Sequence, residues 1–194
     1  MQVKTRNLQN IFSRRPPCEG LSRYDIIKER RARRRGLGRI MKIIFICHGN
    51  ICRSPMAEYI FADLIQKVGR AEDYMISSAA VSYEEIGNDV YPPAKRCLLS
   101  HGIACPPHAA HRVTTKEIEE ADLLLCMDHS NLRRLFAISP KAEGKAFLLG
   151  KYGLKGEEIE DPWYSGNFNR VYDEIALCCE ALFDSLQEVK ESSL

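Results

Sequence analysis

Cys47-His48-Gly49-Asn50-Ile51-Cys52-Arg53-Ser54-Pro55 lies between an apolar run, Ile43-Ile44-Phe45-Ile46, and a helical pattern, and it holds a cysteine and an arginine six positions apart. The run reads as a buried strand. Ala57, Ile60, Phe61, Leu64, Ile65 and Val68 recur at helical spacing, and Gly69 is placed to end that helix. A short loop at such a junction offers unpaired backbone N–H groups to an anion, and the helix dipole adds partial positive charge there. Gly49 permits a tight turn and a close approach to a ligand. The same field favours a thiolate at Cys47, the attacking form of a cysteine. Arg53 brings a planar fork able to grip two phosphoryl oxygens at once. Ser54 and Pro55 suit the first turn of the helix, the hydroxyl being free to cap it or to bond Cys47.

A cysteine at a strand end is more often an inert small hydrophobe than a nucleophile. Here the neighbours meet the needs of a phosphate loop together, and the catalytic reading is preferred. His48, Gly49, Asn50, Ile51, Cys52 and Ser54 are the candidate phosphate- and substrate-binding residues of the loop. The competing phosphate loop, GxxxxGK[ST], is absent, which argues against a nucleotide triphosphatase.

Outward from the loop, strand and helix alternate. Strands are expected at 42–47, Met75 to Ala79, Leu123 to Cys126 and Ala146 to Leu149. Helices are expected after the loop, over about Ala94 to His101, Lys116 to Ala121 and Asn131 to Ile138, and over a last stretch with Phe168, Val171, Tyr172, Ile175, Cys179, Leu182, Phe183 and Leu186 on one face. Continuous apolar strands separated by helices imply a single α/β domain, a parallel sheet covered by helices on both faces. Such sheets place ligands at the carboxyl ends of their strands, here the end of the first.

The 194 residues, 45% of them hydrophobic, suit one domain of ordinary size. No apolar run approaches the ~20 residues that cross a bilayer, and a secretory signal is not evident, so a cytoplasmic protein without membrane insertion is expected. The eight cysteines show no CxxC spacing, and no metal or other cofactor is implied. Cys178 and Cys179, adjacent in a helical pattern, read as core.

The net charge of +2 conceals an asymmetry: residues 1–40 carry twelve Lys or Arg against three Asp or Glu, the remainder sixteen against twenty-three. This basic arm, with Arg30-Arg31-Ala32-Arg33-Arg34-Arg35 and little apolar periodicity, is expected to be a disordered extension outside the core. A nucleic-acid or membrane-surface tether, a targeting peptide and translated sequence upstream of a start at Met41 are all compatible with it. The last is preferred, since Met41 directly precedes the first strand and 41–194 forms a complete domain; nucleic-acid binding is not assigned to the arm.

Breaking a phosphate ester also requires a proton for the leaving oxygen. Asp161-Pro162-Trp163-Tyr164-Ser165-Gly166 is the best source: Pro162 stiffens the turn, Gly166 permits its exit, and Trp163 and Tyr164 offer walls for an aryl ring. Alone, an Asp-Pro pair in a loop is usually only a turn; its value comes from Cys47.

With these pieces in hand, residues 41–194 closely resemble the low-molecular-weight protein-tyrosine phosphatases. The resemblance rests on the phosphate loop near the domain start, Ser78-Ala79-Ala80, His108, Cys126-Met127-Asp128 followed by Ser130-Asn131-Leu132, and Asp161-Pro162-Trp163-Tyr164. It implies a four-stranded parallel sheet flanked by helices, Cys47 as nucleophile, Arg53 as phosphate clamp and Asp161 as general acid. Asn50, Ser54, Ser78 and His108 would form the network that shapes the loop, and Asp128 would be a supporting acid. The implied reaction is hydrolysis of phosphotyrosine through a cysteinyl-phosphate, releasing inorganic phosphate, with phosphotyrosine proteins as partners and a bacterial-type tyrosine kinase as counterpart. Given the family match, Cys52, five positions from Cys47, is a candidate for a reversible disulfide that shields the nucleophile.

The chain departs from the family pattern in places. Glu84 stands where many relatives carry an aromatic, which leaves Tyr83 as a candidate wall; His111 stands where an arginine is common, and one extra residue precedes His108. The rival on this scaffold is a protein-arginine phosphatase, whose loop typically has Thr where Ile51 stands; the apolar residue favours tyrosine. A thiol-dependent arsenate reductase would need further cysteines after the third strand, and Cys126 has none until Cys178. A non-catalytic phosphate-binding module would not need both a thiolate and an acid.

Overall fold

Residues 40–191 are described by the computed structural model. The expected basic extension therefore lies, apart from Ile40, outside the described residues. The first strand, β1 (Met41–Cys47), is followed by α1 (Arg53–Lys67), β2 (Tyr74–Ala80), α2 (Pro92–Ser100), α3 (Thr115–Glu120), β3 (Leu123–Cys126), α4 (His129–Ile138), β4 (Ala146–Leu148), α5 (Pro162–Ser165) and α6 (Phe168–Glu191). The sheet runs β2-β1-β3-β4, and every pairing is parallel. Among the described residues no helix is long and apolar enough to cross a membrane.

Successive residues of a strand point to opposite faces, and β1 is apolar on both because each face meets helices. Ile43, Phe45 and Cys47 join a large core with Met56 and Phe61 of α1, Leu98 of α2 and Val171, Ile175, Cys178, Cys179 and Leu182 of α6. Ile44 and Ile46 join a smaller one with Leu124, Ile118 of α3 and Leu135 of α4. Phe61 contacts both Phe45 and Tyr74 with ring centroids 5.9 Å apart in each pair, tilted and edge-on respectively, as aromatic quadrupoles prefer.

The elements match the sequence reading with small shifts at their ends. Val68, expected on the buried face of α1, instead lies past the end of the helix and is exposed, while Gly69 takes a φ of 71° and turns the chain away. The Asp161-Pro162 segment, read as a turn, is one helical turn with Asp161 at its N-cap and Pro162 at its first position.

The order β2-β1-β3-β4 sends the chain from β1 to one side and returns it on the other, so the crevice between β1 and β3 opens at their carboxyl ends. Three loops meet there and are stitched by backbone bonds. Val81 N–H donates to the Cys47 carbonyl at 3.0 Å, Met127 N–H to the Ile46 carbonyl at 3.1 Å, and Ile159 N–H to the Met127 carbonyl at 2.9 Å.

Gly150 sets the course of the last of these loops. Its carbonyl accepts from the N–H of Leu154 at 2.8 Å and of Gly156 at 3.0 Å, and a Cβ on Gly150 would sit 1.9 Å from the Glu157 carbonyl oxygen. No side-chain rotation relieves a clash between backbone atoms. Gly150→Ala is expected to cost about 2–4 kcal/mol in urea unfolding through a displaced 154–161 segment. An unchanged midpoint would contradict this close approach.

Candidate active site

Cys47 is the last residue of β1 and is nearly fully buried, its sulfur lying inside the loop that follows. The Asn50 N–H donates to Cys47 Sγ at 3.2 Å, and Ser54 Oγ lies 3.0 Å from the same sulfur. Cys52 is the N-cap of α1 but supplies no side-chain cap, and none of the first-turn N–H groups is taken by a side chain. Uncapped N–H groups at a helix start are the donors an anion requires.

Asn50 takes the left-handed conformation, φ 59°, that the loop needs. The sequence reading placed the backbone freedom at Gly49; the structure places it one residue later. Gly49 leaves room for a neighbour instead, since a Cβ there would come within 2.9 Å of Glu85 Cγ and displace that side chain. The Asn50 side chain is fully buried and completely bonded. Its amide donates to Ser54 Oγ at 2.9 Å and Ser78 Oγ at 2.8 Å, its carbonyl accepts from the His111 N–H at 3.2 Å, and its backbone carbonyl lies 2.8 Å from His108 Nε2.

These bonds fix the direction of two protons. Ser54 Oγ already accepts from Asn50, so its own hydrogen is available to Cys47 Sγ. Ser78 likewise accepts from Asn50 and donates to Glu58 Oε2 at 2.5 Å. Glu58 was not found from sequence, where it is one more acid in an amphipathic helix. Burial raises its pKa, and the Ser78 hydroxyl pulls it back only in part.

Arg53 is only 3% exposed and is gripped by two acids. Its Nη1 donates to Asp128 Oδ2 at 2.7 Å and to the Ile159 carbonyl at 3.1 Å, and its Nη2 to Asp161 Oδ2 at 2.6 Å. Both acids stand at helix starts and use their second oxygen as a cap: Asp128 Oδ1 accepts from the Asn131 N–H at 2.7 Å, Asp161 Oδ1 from the Trp163 N–H at 3.1 Å. Burial alone would lower the guanidinium pKa, but Cys47, Asp161 and Asp128 together raise it, so the charge is held.

Above the loop is a cleft of about 200 Å³ lined by Cys47, His48, Gly49, Ile51, Cys52, Arg53, Asp161, Trp163 and Tyr164, with Glu84 and Glu85 at its rim. Of the predicted site residues, Asn50, Ser54, Ser78, His108 and Asp128 do not line it. They hold the loop from beneath or behind. Tyr83, the candidate wall, lies aside from the cleft, with the Arg112 guanidinium 4.4 Å from its ring centroid and Arg112 Nη1 donating to its hydroxyl at 2.7 Å. Glu84 Oε2 is 2.8 Å from His48 Nε2 instead. Sequence reasoning missed Tyr91, which does not line the cleft but backs it: its ring lies 4.8 Å from that of Trp163 and its N–H donates to the Ile51 carbonyl at 2.8 Å. Its only sequence signal is the Pro92-Pro93 helix start that follows it.

A thiol at the floor of an N–H cradle, an arginine in the same loop and an acid facing it from another define a cysteine-based phosphate-ester site. The family model for low molecular weight phosphotyrosine protein phosphatases matches residues 42–192, and the chain belongs to that family. It is 38% identical over 153 residues to the low molecular weight phosphotyrosine protein phosphatase of Gallus gallus, covering 76% of this chain and 96% of that one. The crystal structure of YfkJ from Bacillus subtilis superposes with a TM-score of 0.75 at 32% identity, over 79% of this chain and 98% of that one. The crystal structure of DARP, a Drosophila arginine phosphatase, superposes with a TM-score of 0.68 at 30% identity, over 75% of this chain and 98% of that one.

Asn50→Ala is expected to lose about 2–4 kcal/mol of stability, through the donors lost to Ser54 and Ser78, an unpaired His111 N–H and a strained left-handed alanine. Asn50→Gly should recover about 1 kcal/mol of that, the backbone share alone. Equal stability of Asn50→Ala and the parent in chemical denaturation would remove Asn50 from this central role.

Proposed function

We propose that the protein hydrolyses phosphotyrosine in protein substrates, with Cys47 as nucleophile, Arg53 as phosphate clamp and Asp161 as general acid and base. The observation that carries this reading is the convergence of Cys47, Arg53 and Asp161 on one cleft, with Arg53 Nη2 only 2.6 Å from Asp161 Oδ2. Trp163, backed by Tyr91, gives the cleft an aromatic side suited to an aryl ester, and Tyr164, 87% exposed, stands at its mouth.

The reaction takes two displacements. The Cys47 thiolate attacks phosphorus in line; the S–P bond forms as the P–O bond to tyrosine breaks, and Asp161 gives its proton to the phenolic oxygen. Arg53 and the loop N–H groups meet the equatorial oxygens where charge builds. Asp161, now a carboxylate, takes a proton from water as that water attacks phosphorus. The S–P bond breaks, inorganic phosphate leaves, and Ser54 donates its hydrogen bond to the returning thiolate. For the first step Asp161 Oδ2 must exchange the guanidinium for the ester oxygen, while Oδ1 keeps the start of α5 in place.

Cys52 supports a protective role beside this chemistry. Burial pushes its pKa up, with the Cys47 charge adding to the shift, so it stays a protonated thiol until Cys47 is oxidised. Peroxide would convert the Cys47 thiolate to a sulfenic acid, and Cys52 would condense with it, releasing water and forming a disulfide. Such a nucleophile is kept reduced in the cytoplasm, where we place the enzyme; its partners are phosphotyrosine proteins, with a bacterial-type tyrosine kinase and its substrates among them. Residues 41–194 form its catalytic domain. Ile51, buried against Cys52 and Ala110 with Tyr91 and Phe168 beside it, favours tyrosine over the arginine chemistry of the Drosophila neighbour.

Cys47→Ser should abolish turnover of phosphotyrosine peptides while leaving the fold intact by circular dichroism. Asp161→Asn, whose single side-chain oxygen can keep the α5 cap but whose amide NH2 cannot accept from Arg53, should slow hydrolysis about 10²–10⁴-fold for poor leaving groups and much less for p-nitrophenyl phosphate. Phosphoarginine or phosphoserine peptides cleaved faster than phosphotyrosine would overturn the assignment. After peroxide, peptide mapping should find a Cys47–Cys52 bridge in the parent and over-oxidised Cys47 in Cys52→Ala; over-oxidation in both would exclude the protective role.

A further inference from the structure

A second depression of about 520 Å³ adjoins the catalytic cleft and shares Ile51, Glu85 and Trp163 with it. Its far wall is the segment from Asn88 to Leu99, on the β2–α2 loop and α2. Val90 and Tyr91 give this wall an apolar base, and Leu99, 57% exposed, extends it outward, as Trp163 does at 52%. Single exposed apolar side chains are ordinary, but these two lie in one groove that opens from a binding cleft.

The groove's charges are not equivalent. Asp89 is committed to Lys95 Nζ at 2.9 Å and to the N–H groups of Val90 and His108, and Glu85 accepts from Asn88 Nδ2 at 2.7 Å. Arg96 is exposed and has no ion pair or hydrogen bond among the described residues. The groove therefore offers apolar surface and one uncommitted positive charge.

We propose that this groove receives the polypeptide adjoining the phosphotyrosine and selects substrates with an apolar residue next to it and an acidic residue one further on. The inference rests on the phosphotyrosine reading above and adds the substrate class to it. Continuity carries it. A chain whose phosphotyrosine fills the cleft has to leave past Ile51, Glu85 and Trp163, and two or three extended residues advance about 7–10 Å, into the groove. The apolar side chain would cover Leu99 and the outer edge of Trp163, and the acid would face Arg96.

The test is kcat/KM for p-nitrophenyl phosphate and for three peptides: Glu-Leu-phosphotyrosine-Leu-Glu, its Lys-Leu-phosphotyrosine-Leu-Lys counterpart, and one with glycine at all four flanking positions. The parent enzyme should prefer the Glu-Leu peptide to the glycine peptide by about tenfold. Leu99→Asp should bring that ratio close to one, and Arg96→Glu should reverse the order of the Glu and Lys peptides. Both variants should cleave p-nitrophenyl phosphate like the parent, because neither residue lines the catalytic cleft. Equal parent rates on all three peptides, or an unchanged order in Arg96→Glu, would overturn the proposal while leaving the phosphatase reading standing. No turnover of p-nitrophenyl phosphate by the folded parent would remove that reading and this one with it. Sedimentation covers the other occupant: a parent dimer dispersed by Leu99→Asp, with peptide order unaffected, would make the groove a contact between copies and overturn the proposal.

Discussion

The site depends on one asparagine held in a conformation that few side chains accept. Asn50 turns the loop left-handed, and its buried amide and carbonyl are bonded to Ser54, Ser78 and the backbone of His111. A left-handed residue costs roughly 1–2 kcal/mol relative to the ordinary helical region, and such strain persists only where the surroundings over-determine it. Here they do, since strand β2, the 108–111 segment and helix α1 each supply a partner. The loop thus meets its ligand already shaped, with Cys47 fixed by the Asn50 N–H and by Ser54.

Arg53 shows the same economy. Asp128 and Asp161 belong to different loops, after β3 and after β4, yet each splits its two oxygens between capping a helix and holding the guanidinium. Two helix starts are thereby registered to one side chain, and through it to the loop that carries Cys47. Cys47, Asp161 and Asp128 keep the buried arginine charged against its desolvation, and the two acids give its fork a single orientation.

Much of this was legible in the sequence. Periodicity sufficed for the strands and long helices because both faces of the sheet are covered, leaving β1 and β3 as unbroken apolar runs. The loop and its acid were legible because thiol, arginine and acid are scarce chemistry in recognisable settings. What escaped notice depends on distant partners. Tyr91 backs the cleft only because the chain returns at Trp163, and Glu58 matters only because Ser78 arrives on the neighbouring strand. The exchange of roles between Gly49 and Asn50 is of the same kind. Both residue types suit tight turns, and it is Glu85, brought in by a later loop, that crowds the space a side chain at Gly49 would need.

The pairing of Arg53 with Asp161 also bears on which anions the enzyme notices. A visitor that would use the guanidinium has to draw it from a carboxylate that shares a hydrogen bond with it at 2.6 Å. A singly charged ion competes for the guanidinium against a full carboxylate charge already in contact with it. A doubly charged phosphoryl group, with three oxygens for the loop amides and the fork together, brings more attraction. The closed pair thus works as a threshold that favours a doubly charged ligand over a singly charged one.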